Sequence, residues 1–137
     1  MIPIRDSKRN RSKNAKQNLE FEILFFEGIA RRDPKYIEGL QILGDAYTEM
    51  GRPGKGLQID QQLAKLCPDS PLVFYNLACS CSLMNRLDDA FAVLKAAVKL
   101  GYADMRWLSR DPDLRNLRGD SRFARIREDV SKKSSNR

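Results

Sequence analysis

The most reactive side chains of this sequence are three cysteines, Cys67, Cys79 and Cys81, and the chain contains no histidine. Cys79 and Cys81 are two residues apart, a spacing at which side chains on a helix do not face each other. A zinc site without histidine would need at least one carboxylate and ligands from several segments. Neither a Cys–His pair nor a Ser–His–Asp triad is available for catalysis. We therefore expect free thiols, no metal or cofactor, and no enzymatic activity.

A glycine-rich segment with the sequence GRPGKG spans residues 51–56. A phosphate-binding loop has four residues between its glycines and continues with Lys-Ser or Lys-Thr after a β-strand. Here Gly56 directly follows Lys55, and the pattern before the segment is helical. We interpret the segment as a turn between two helices, in which glycine supplies left-handed backbone conformations.

The positive charge of the chain is concentrated in its two flanks. Residues 18–100 carry 9 bases and 11 acids, whereas the whole chain has a net charge of +7. A uniformly basic nucleic-acid-binding domain is therefore a poor description. Residues 1–17 have little apolar content, and we expect them to form a basic flexible tail. Its basic residues are Arg5, Lys8, Arg9, Arg11, Lys13 and Lys16.

The N-terminal segment lacks the apolar core of a secretion signal, and no run of about 18 apolar residues indicates a membrane-spanning helix. An organellar transit peptide would also be basic, but it would carry an amphipathic apolar stripe that residues 1–17 lack. The sequence thus favours a soluble cytoplasmic protein.

The elements that position these residues follow an internal repeat of 34 residues. Leu-Ala at residues 77–78 returns 34 residues after Leu-Gly at residues 43–44, and Leu100 returns at the same distance after Leu66. Small residues recur at small positions and large residues at large ones. A period of this length indicates stacked helical hairpins.

Local signals predict a helical hairpin in each unit. In the second unit, Ser70 is the expected N-cap and Pro71 occupies the first helical position. A turn at residues 85–88 separates this helix from a second one, which Gly101 ends. The first unit is broken at residues 51–54. The sequence therefore predicts an all-α protein.

Residues 37–104 resemble two tetratricopeptide repeats (TPRs), the family of helical hairpins with this period. In the first repeat, the positions of the family pattern are occupied by Leu40, Leu43, Gly44, Tyr47, Gly56, Asp60, Leu63 and Pro68. In the second repeat, they are occupied by Phe74, Leu77, Ala78, Cys81, Ala90, Leu94, Ala97 and Tyr102. The resemblance implies a short solenoid of antiparallel helical hairpins.

Among the departures from the family pattern, three are informative. Gly56 weakens the start of a helix by about 1 kcal/mol relative to alanine. Asp60 stands where a large apolar residue is usual, and Cys81 replaces an aromatic residue. Because two of the departures fall in the first repeat, we expect that repeat to be the looser one.

Segments on both sides extend the predicted domain to residues 18–130, or about two and a half repeats. The first part matches only the second helix of a preceding repeat, and a C-terminal helix is expected to cap the last apolar face. The predicted boundaries are a half repeat at 18–36, repeats at 37–70 and 71–104, a cap at 105–130, and a polar tail at 131–137.

In the TPR family the first helices of successive repeats line a concave groove, so the resemblance implies an adaptor that binds a segment of a partner protein there. The groove positions of the first repeat are Glu38, Gln41, Asp45, Thr48 and Glu49. Those of the second repeat are Leu72, Tyr75, Asn76, Cys79, Ser82 and Leu83. The first set is acidic, and the second set is apolar with hydrogen-bonding capacity.

The residues of this groove favour one kind of partner. Some relatives grip a C-terminal carboxylate with basic residues and asparagines, but only Asn76 matches that pattern here. The acids instead favour a protein segment with Lys or Arg next to an apolar anchor, seated over Tyr75 and Leu83. The alternative is that the acids Glu38, Asp45 and Glu49 form only a solvated helix face.

A second function remains open, in which the chain associates with nucleic acid or the ribosome. The basic tail would contact phosphates, together with C-terminal arginines at positions 115, 118, 122, 125 and 127. No aromatic residue interleaves the N-terminal bases, which argues against stacking on single strands there.

Two further hypotheses concern apolar residues. Trp107 is expected to fill the last hydrophobic layer rather than to form a binding hot spot. The first helix is richer in large apolar residues than one neighbour requires, and it could pair with a second copy of the chain. The residues concerned are Leu19, Phe21, Phe25 and Phe26.

Overall fold

The computed structural model of this protein describes residues 13–135, and these residues contain helices and no β-strand. The helices are α1 (Lys13–Arg32), α2 (Ile37–Glu49), α3 (Pro53–Leu66), α4 (Pro71–Leu83), α5 (Leu87–Lys99), α6 (Met105–Arg110), α7 (Arg115–Arg118) and α8 (Arg122–Ser135), with a 3-10 turn at Pro112–Leu114. The prediction of an all-α fold is confirmed.

Consecutive helices pack against each other along the chain, in the order α1 to α5. The turns that follow α2 and α4 lie one repeat apart and share a left-handed residue, with φ of 80° at Gly51 and 57° at Asn85. Glycine and asparagine are the residues that tolerate this conformation best. The predicted turn is therefore present but shorter than the GRPGKG segment, because only Gly51 and Arg52 of that segment lie between the helices and α3 already begins at Pro53.

The predicted start of the second repeat is confirmed. The backbone N–H of Val73 donates a hydrogen bond of 3.3 Å to the Ser70 side chain, and Pro71 is the first residue of α4. Serine at this position satisfies one of the backbone donors that a helix leaves without an internal partner. Gly101, with φ of 117°, follows α5.

Close approach between α2 and α3 explains Gly56, the weak helix former of the first repeat. A Cβ atom at Gly56 would lie 2.9 Å from the Thr48 hydroxyl oxygen and 3.4 Å from the Gly44 carbonyl oxygen. The two helices cross where both carry glycine, so packing overrides helix propensity at this position.

The second departure, Asp60, is buried with 2% of its surface exposed. It accepts a hydrogen bond from the hydroxyl of Ser80 on α4. A polar contact between α3 and α4 therefore replaces the apolar contact that the family pattern leads one to expect.

The main core extends from α3 to α8, and the C-terminal segment closes it. Leu108, Leu114 and Leu117 are fully buried, although they lie on three short elements. On α8, the buried side chains are Phe123, Ile126 and Val130. The predicted capping helix is present, and it packs against α5.

The structure corrects the sequence-based limits of both tails. Helix α1 begins at Lys13, inside the region predicted as a flexible tail, and α8 continues to Ser135, inside the predicted polar tail. Apart from Ala15, both extensions consist of polar residues, which lack the apolar periodicity used to predict helices. On α8, the Lys132 ammonium lies 3.7 Å from the Glu128 carboxylate one turn earlier, an arrangement that favours helix.

Candidate functional site

The α4 half of the predicted groove is covered by the C-terminal segment of the same chain. Tyr75 and Cys79 are each 1% exposed, and Ser82 is fully buried. The carboxylate of Asp111 accepts a hydrogen bond of 2.6 Å from the Tyr75 hydroxyl and one of 3.6 Å from the Cys79 thiol. The prediction that these residues line an open groove is therefore wrong.

The remaining predicted groove residues of α4 are also partly or fully enclosed. Asn76 is buried, whereas Leu72 and Leu83 are half-buried. The segment that covers α4 comprises the 3-10 turn and α7. Sequence reasoning expected this segment to cap the end of the solenoid, but the same residues also cover the predicted groove positions of α4.

Hydrogen bonds fix the covering segment in place. The other carboxylate oxygen of Asp111 accepts a bond of 2.9 Å from the backbone N–H of Asp113, which starts the 3-10 turn. The Asn116 amide donates to the Ser82 carbonyl oxygen at 2.9 Å, and the Arg118 guanidinium donates to the Asp111 carbonyl oxygen at 2.8 Å. Asp111 is the N-cap of this turn and Pro112 its first residue, a pair of residue types that favours the start of a helical turn.

Tyr75 lies at the centre of this contact. Its ring stacks on Tyr102 with ring centroids 4.2 Å apart. Burial, reinforced by the nearby Cys79 and Asp111, raises the pKa of Tyr75 far above its usual range. The hydroxyl therefore stays protonated and acts as a hydrogen-bond donor within the core.

Three buried groups beside Tyr75 have the residue types of a metal site. The Cys79 sulfur and one carboxylate oxygen each of Asp111 and Asp113 lie within 4.8 Å of one another. Both oxygens of Asp111 already accept protein hydrogen bonds, one from the start of the 3-10 turn and one from Tyr75. These contacts give the cluster a structural role in holding the cap on α4.

The surroundings of the cysteines indicate a structural role for these side chains. Cys81 is 3% exposed, and burial raises the pKa of its thiol. A thiol with a raised pKa is a poor nucleophile at neutral pH, because the thiolate is the reactive form. Cys67 is half-buried at the end of α3.

The α2 half of the predicted groove differs from the α4 half. Glu38 is exposed, and Gln41, Asp45, Thr48 and Glu49 are half-buried. The Thr48 hydroxyl donates to the backbone carbonyl of Gly44 at 3.2 Å, so this side chain serves its own helix.

An exposed apolar side chain that the sequence analysis missed lies among these acids. Ile42 is 38% exposed, and helical periodicity places it on one face with Glu38, Asp45 and Glu49. Glu38 and Asp45 lie one turn to either side of Ile42. The sequence could have indicated this exposed position, because Ile42 stands 34 residues before the polar residue Asn76 at the matching position of the second repeat.

The largest exposed apolar side chains of the described residues lie on α1. Phe21 is 72% exposed, Leu24 is 68% exposed and Phe25 is 54% exposed. By contrast, Leu19 is buried and Phe26 is half-buried, and both pack against α2. Of the four residues that the sequence suggested for self-association, Phe21 and Phe25 are therefore accessible to a partner, whereas Leu19 and Phe26 are not. Leu24 is a further accessible residue that the sequence analysis did not name.

Several basic residues of the alternative function are engaged with protein groups. Besides the bond from Arg118 to Asp111, the Arg122 guanidinium lies 2.8 Å from Asp88 and 2.9 Å from Asp120. Arg125 lies 3.4 Å from Asp129. Four of the predicted tail bases, Arg5, Lys8, Arg9 and Arg11, lie outside the described residues, whereas Lys13 and Lys16 lie on α1.

Trp107 packs against the main core cluster and is half-buried. Its indole N–H is buried without a hydrogen-bond partner among the described residues. These contacts favour the packing role over that of an exposed hot spot.

None of the helices within residues 13–135 has the length and apolar character of a membrane-spanning segment.

Comparison with known proteins supports the fold and leaves the family open. No protein-family model matches this chain. The chain is 29% identical over 97 residues to a chloroplastic protein of Arabidopsis thaliana, and the match covers 69% of this chain and 28% of that protein. The chain therefore spans less than a third of the length of this relative. Because this relative is chloroplastic, the cytoplasmic location of the present chain stays a prediction.

The crystal structure of MamA, a TPR-like helical protein, superposes with a TM-score of 0.69 at 17% sequence identity. The match covers 88% of this chain and 71% of MamA. Since the chain is helical and superposes over most of its length on a solved TPR-like protein, it has a TPR-like helical repeat fold.

Proposed function

We propose that this protein is a non-catalytic adaptor that binds a basic segment of a partner protein on the concave side of α2. The observation that carries the proposal is the use of the same side of α4, where the chain holds its own residues 111–118 through Tyr75 and Ser82. The corresponding stripe of α2 lies one repeat earlier and consists of Glu38, Ile42, Asp45 and Glu49. Three acids around one apolar side chain suit a basic segment of a separate protein.

The chemistry of this stripe specifies the segment. Asp45 and Glu49 lie one turn apart at the C-terminal end of α2, where the helix dipole disfavours negative charge and like charges repel. Glu38, which is exposed in the first turn of α2, adds a third carboxylate to the stripe, and a Lys or Arg of the partner complements this negative charge. Ile42 replaces Tyr75 and Leu83 as the apolar anchor point, because Tyr75 is buried beneath the cap. We expect an apolar residue of the partner over Ile42 and basic residues on either side of it.

A charge-reversal experiment tests the adaptor function. The variant Glu38→Lys/Asp45→Lys changes the charge of the stripe, and Asp69→Lys/Glu128→Lys makes the same change at exposed residues outside it. Proteins captured by the unmodified chain from nuclease-treated lysate should be lost with the first variant and retained with the second. Equal capture by both variants, with circular dichroism unchanged, would overturn the proposal.

Self-association is the second part of the proposal. The exposed side chains of Phe21, Leu24 and Phe25 lie on α1, away from the acidic stripe of α2, and they suit a second copy of the chain. Contiguous exposed apolar side chains of this size mark interaction surfaces in soluble proteins.

A further inference from the structure

Helix α1 carries apolar side chains that its own fold does not use. Phe21 and Leu24 lie on the side of α1 away from Leu19 and Ile23, which are buried against α2. The residues 34 positions later on α3 are Lys55 and Gln58, and those on α5 are Asp89 and Ala92. All four are exposed. The repeat therefore needs no large apolar residue at these positions, and α1 has two.

Gly28 completes a notch on the same face of the helix. Phe21, Leu24, Phe25 and Gly28 follow the spacing i, i+3, i+4 and i+7, which aligns them on one side of a helix. A Cβ atom at Gly28 would meet only the Arg31 guanidinium, at 3.8 Å. Glycine in the middle of a helix costs about 1 kcal/mol relative to alanine, and no close contact within the described chain requires it here.

This stripe is self-complementary in one register. The spacing is symmetric about a point between residues 24 and 25. If two α1 helices pack antiparallel about that point, Phe21 of one copy lies over Gly28 of the other, and Leu24 lies against Phe25. A twofold interface requires this reciprocity, in which residue i contacts j and j contacts i.

Charged residues beside the stripe agree with the same register. Glu20 and Arg31 are both exposed on α1. The antiparallel arrangement brings Glu20 of one copy next to Arg31 of the other, twice per dimer.

From this reciprocity we infer that α1 forms an antiparallel, twofold dimer interface centred between Leu24 and Phe25. The inference rests on the proposed self-association and specifies its geometry. Using about 150–250 Å² per aromatic side chain, the exposed parts of the three large residues supply roughly 350 Å² per copy. A total near 700 Å² is below the roughly 1,200 Å² of a standard interface, so the dimer should be weak and concentration-dependent.

Site-specific crosslinking of the purified full chain tests the register. In a Cys67→Ser background, Leu24→Cys places a thiol beside the twofold axis, whereas the two copies of Gln17→Cys would lie about 22 Å apart along the helices. A short bis-maleimide reagent should crosslink Leu24→Cys into dimers at least tenfold more efficiently than Gln17→Cys. Gln58→Cys, at the position of α3 that matches Leu24, serves as a control and should also stay monomeric.

Sedimentation equilibrium provides the second measurement. The unmodified chain should associate reversibly to a dimer, and Phe21→Glu/Phe25→Glu should remain a monomer with unchanged circular dichroism. The inference is overturned if the unmodified chain is monomeric at high micromolar concentration, or if the double variant still dimerises. Equal crosslinking of Gln17→Cys and Leu24→Cys would likewise overturn the register. Because no partner protein is present, these results are independent of whether the α2 stripe binds its segment.

Discussion

The hydroxyl of Tyr75, in the first helix of the second repeat, donates a hydrogen bond of 2.6 Å to the carboxylate of Asp111, which starts the segment that closes the solenoid. Residues 36 positions apart thus meet in the core. The contact explains why the α4 half of the predicted groove is closed.

Loss of this hydrogen bond should destabilise the fold. Tyr75→Phe keeps the stacked ring but removes the donor to the buried Asp111 carboxylate, so we expect the free energy of unfolding to fall by about 1–3 kcal/mol. Urea denaturation followed by circular dichroism measures the change. Tyr36→Phe, at a side chain that is 41% exposed, is the matched control and should change stability by less than about 0.5 kcal/mol. Equal stability of the two variants would argue against a structural role for the bond.

The contact between Asp60 and Ser80 gives a second prediction. Ser80→Ala removes a hydroxyl donor to a buried carboxylate and should lower stability by about 1–3 kcal/mol. Asp60→Leu/Ser80→Ala removes both polar groups and restores the apolar type of the family pattern, so it should recover most of that loss. Thermal unfolding of both variants and of the single variant Asp60→Leu completes a double-mutant cycle. If the double variant is no more stable than Ser80→Ala, the prediction that apolar residues can take the place of the polar contact is wrong.

Tyr47 should make stability depend on alkaline pH. Burial, together with a hydrogen bond to Glu27, raises its pKa from 10.0 to about 12. Because the folded protein favours the neutral phenol, this contribution to stability is complete below pH 10 and is lost as the pH rises to about 12. Urea unfolding across this range should show a smaller loss for Tyr47→Phe than for the unmodified chain. Parallel curves for the two proteins would contradict the raised pKa.

Asp120 should show the opposite dependence at acidic pH. Hydrogen bonds from Arg122 lower its pKa from 3.8 to about 2. The stability linked to this group is therefore present above pH 3.8 and is lost as the pH falls to about 2. In Arg122→Gln, the Asp120 carboxyl pKa should rise towards its usual value, as measured by NMR titration of the carboxyl carbon. An unchanged titration would show that Arg122 does not hold this carboxylate in solution.

Much of the fold follows from local signals in the sequence. The caps at Ser70 and Asp111, the left-handed turn at Gly51 and the 34-residue apolar period all act over a few residues or within one repeat. The polar ends of α1 and α8 were missed, because exposed polar residues can extend a helix without an apolar pattern.

The sequence by itself therefore determined the helical repeat, the order of its hairpins and the presence of a cap, since helix periodicity and capping depend on neighbouring residues. Only the tertiary structure decided which binding positions stay accessible. Tyr75, Cys79 and Ser82 occupy the repeat positions of an open groove, yet they are buried because a segment about 30 residues further along folds back over them. Long-range contacts of this kind leave no periodic trace in the sequence, because packing, and not spacing along the chain, brings the residues together.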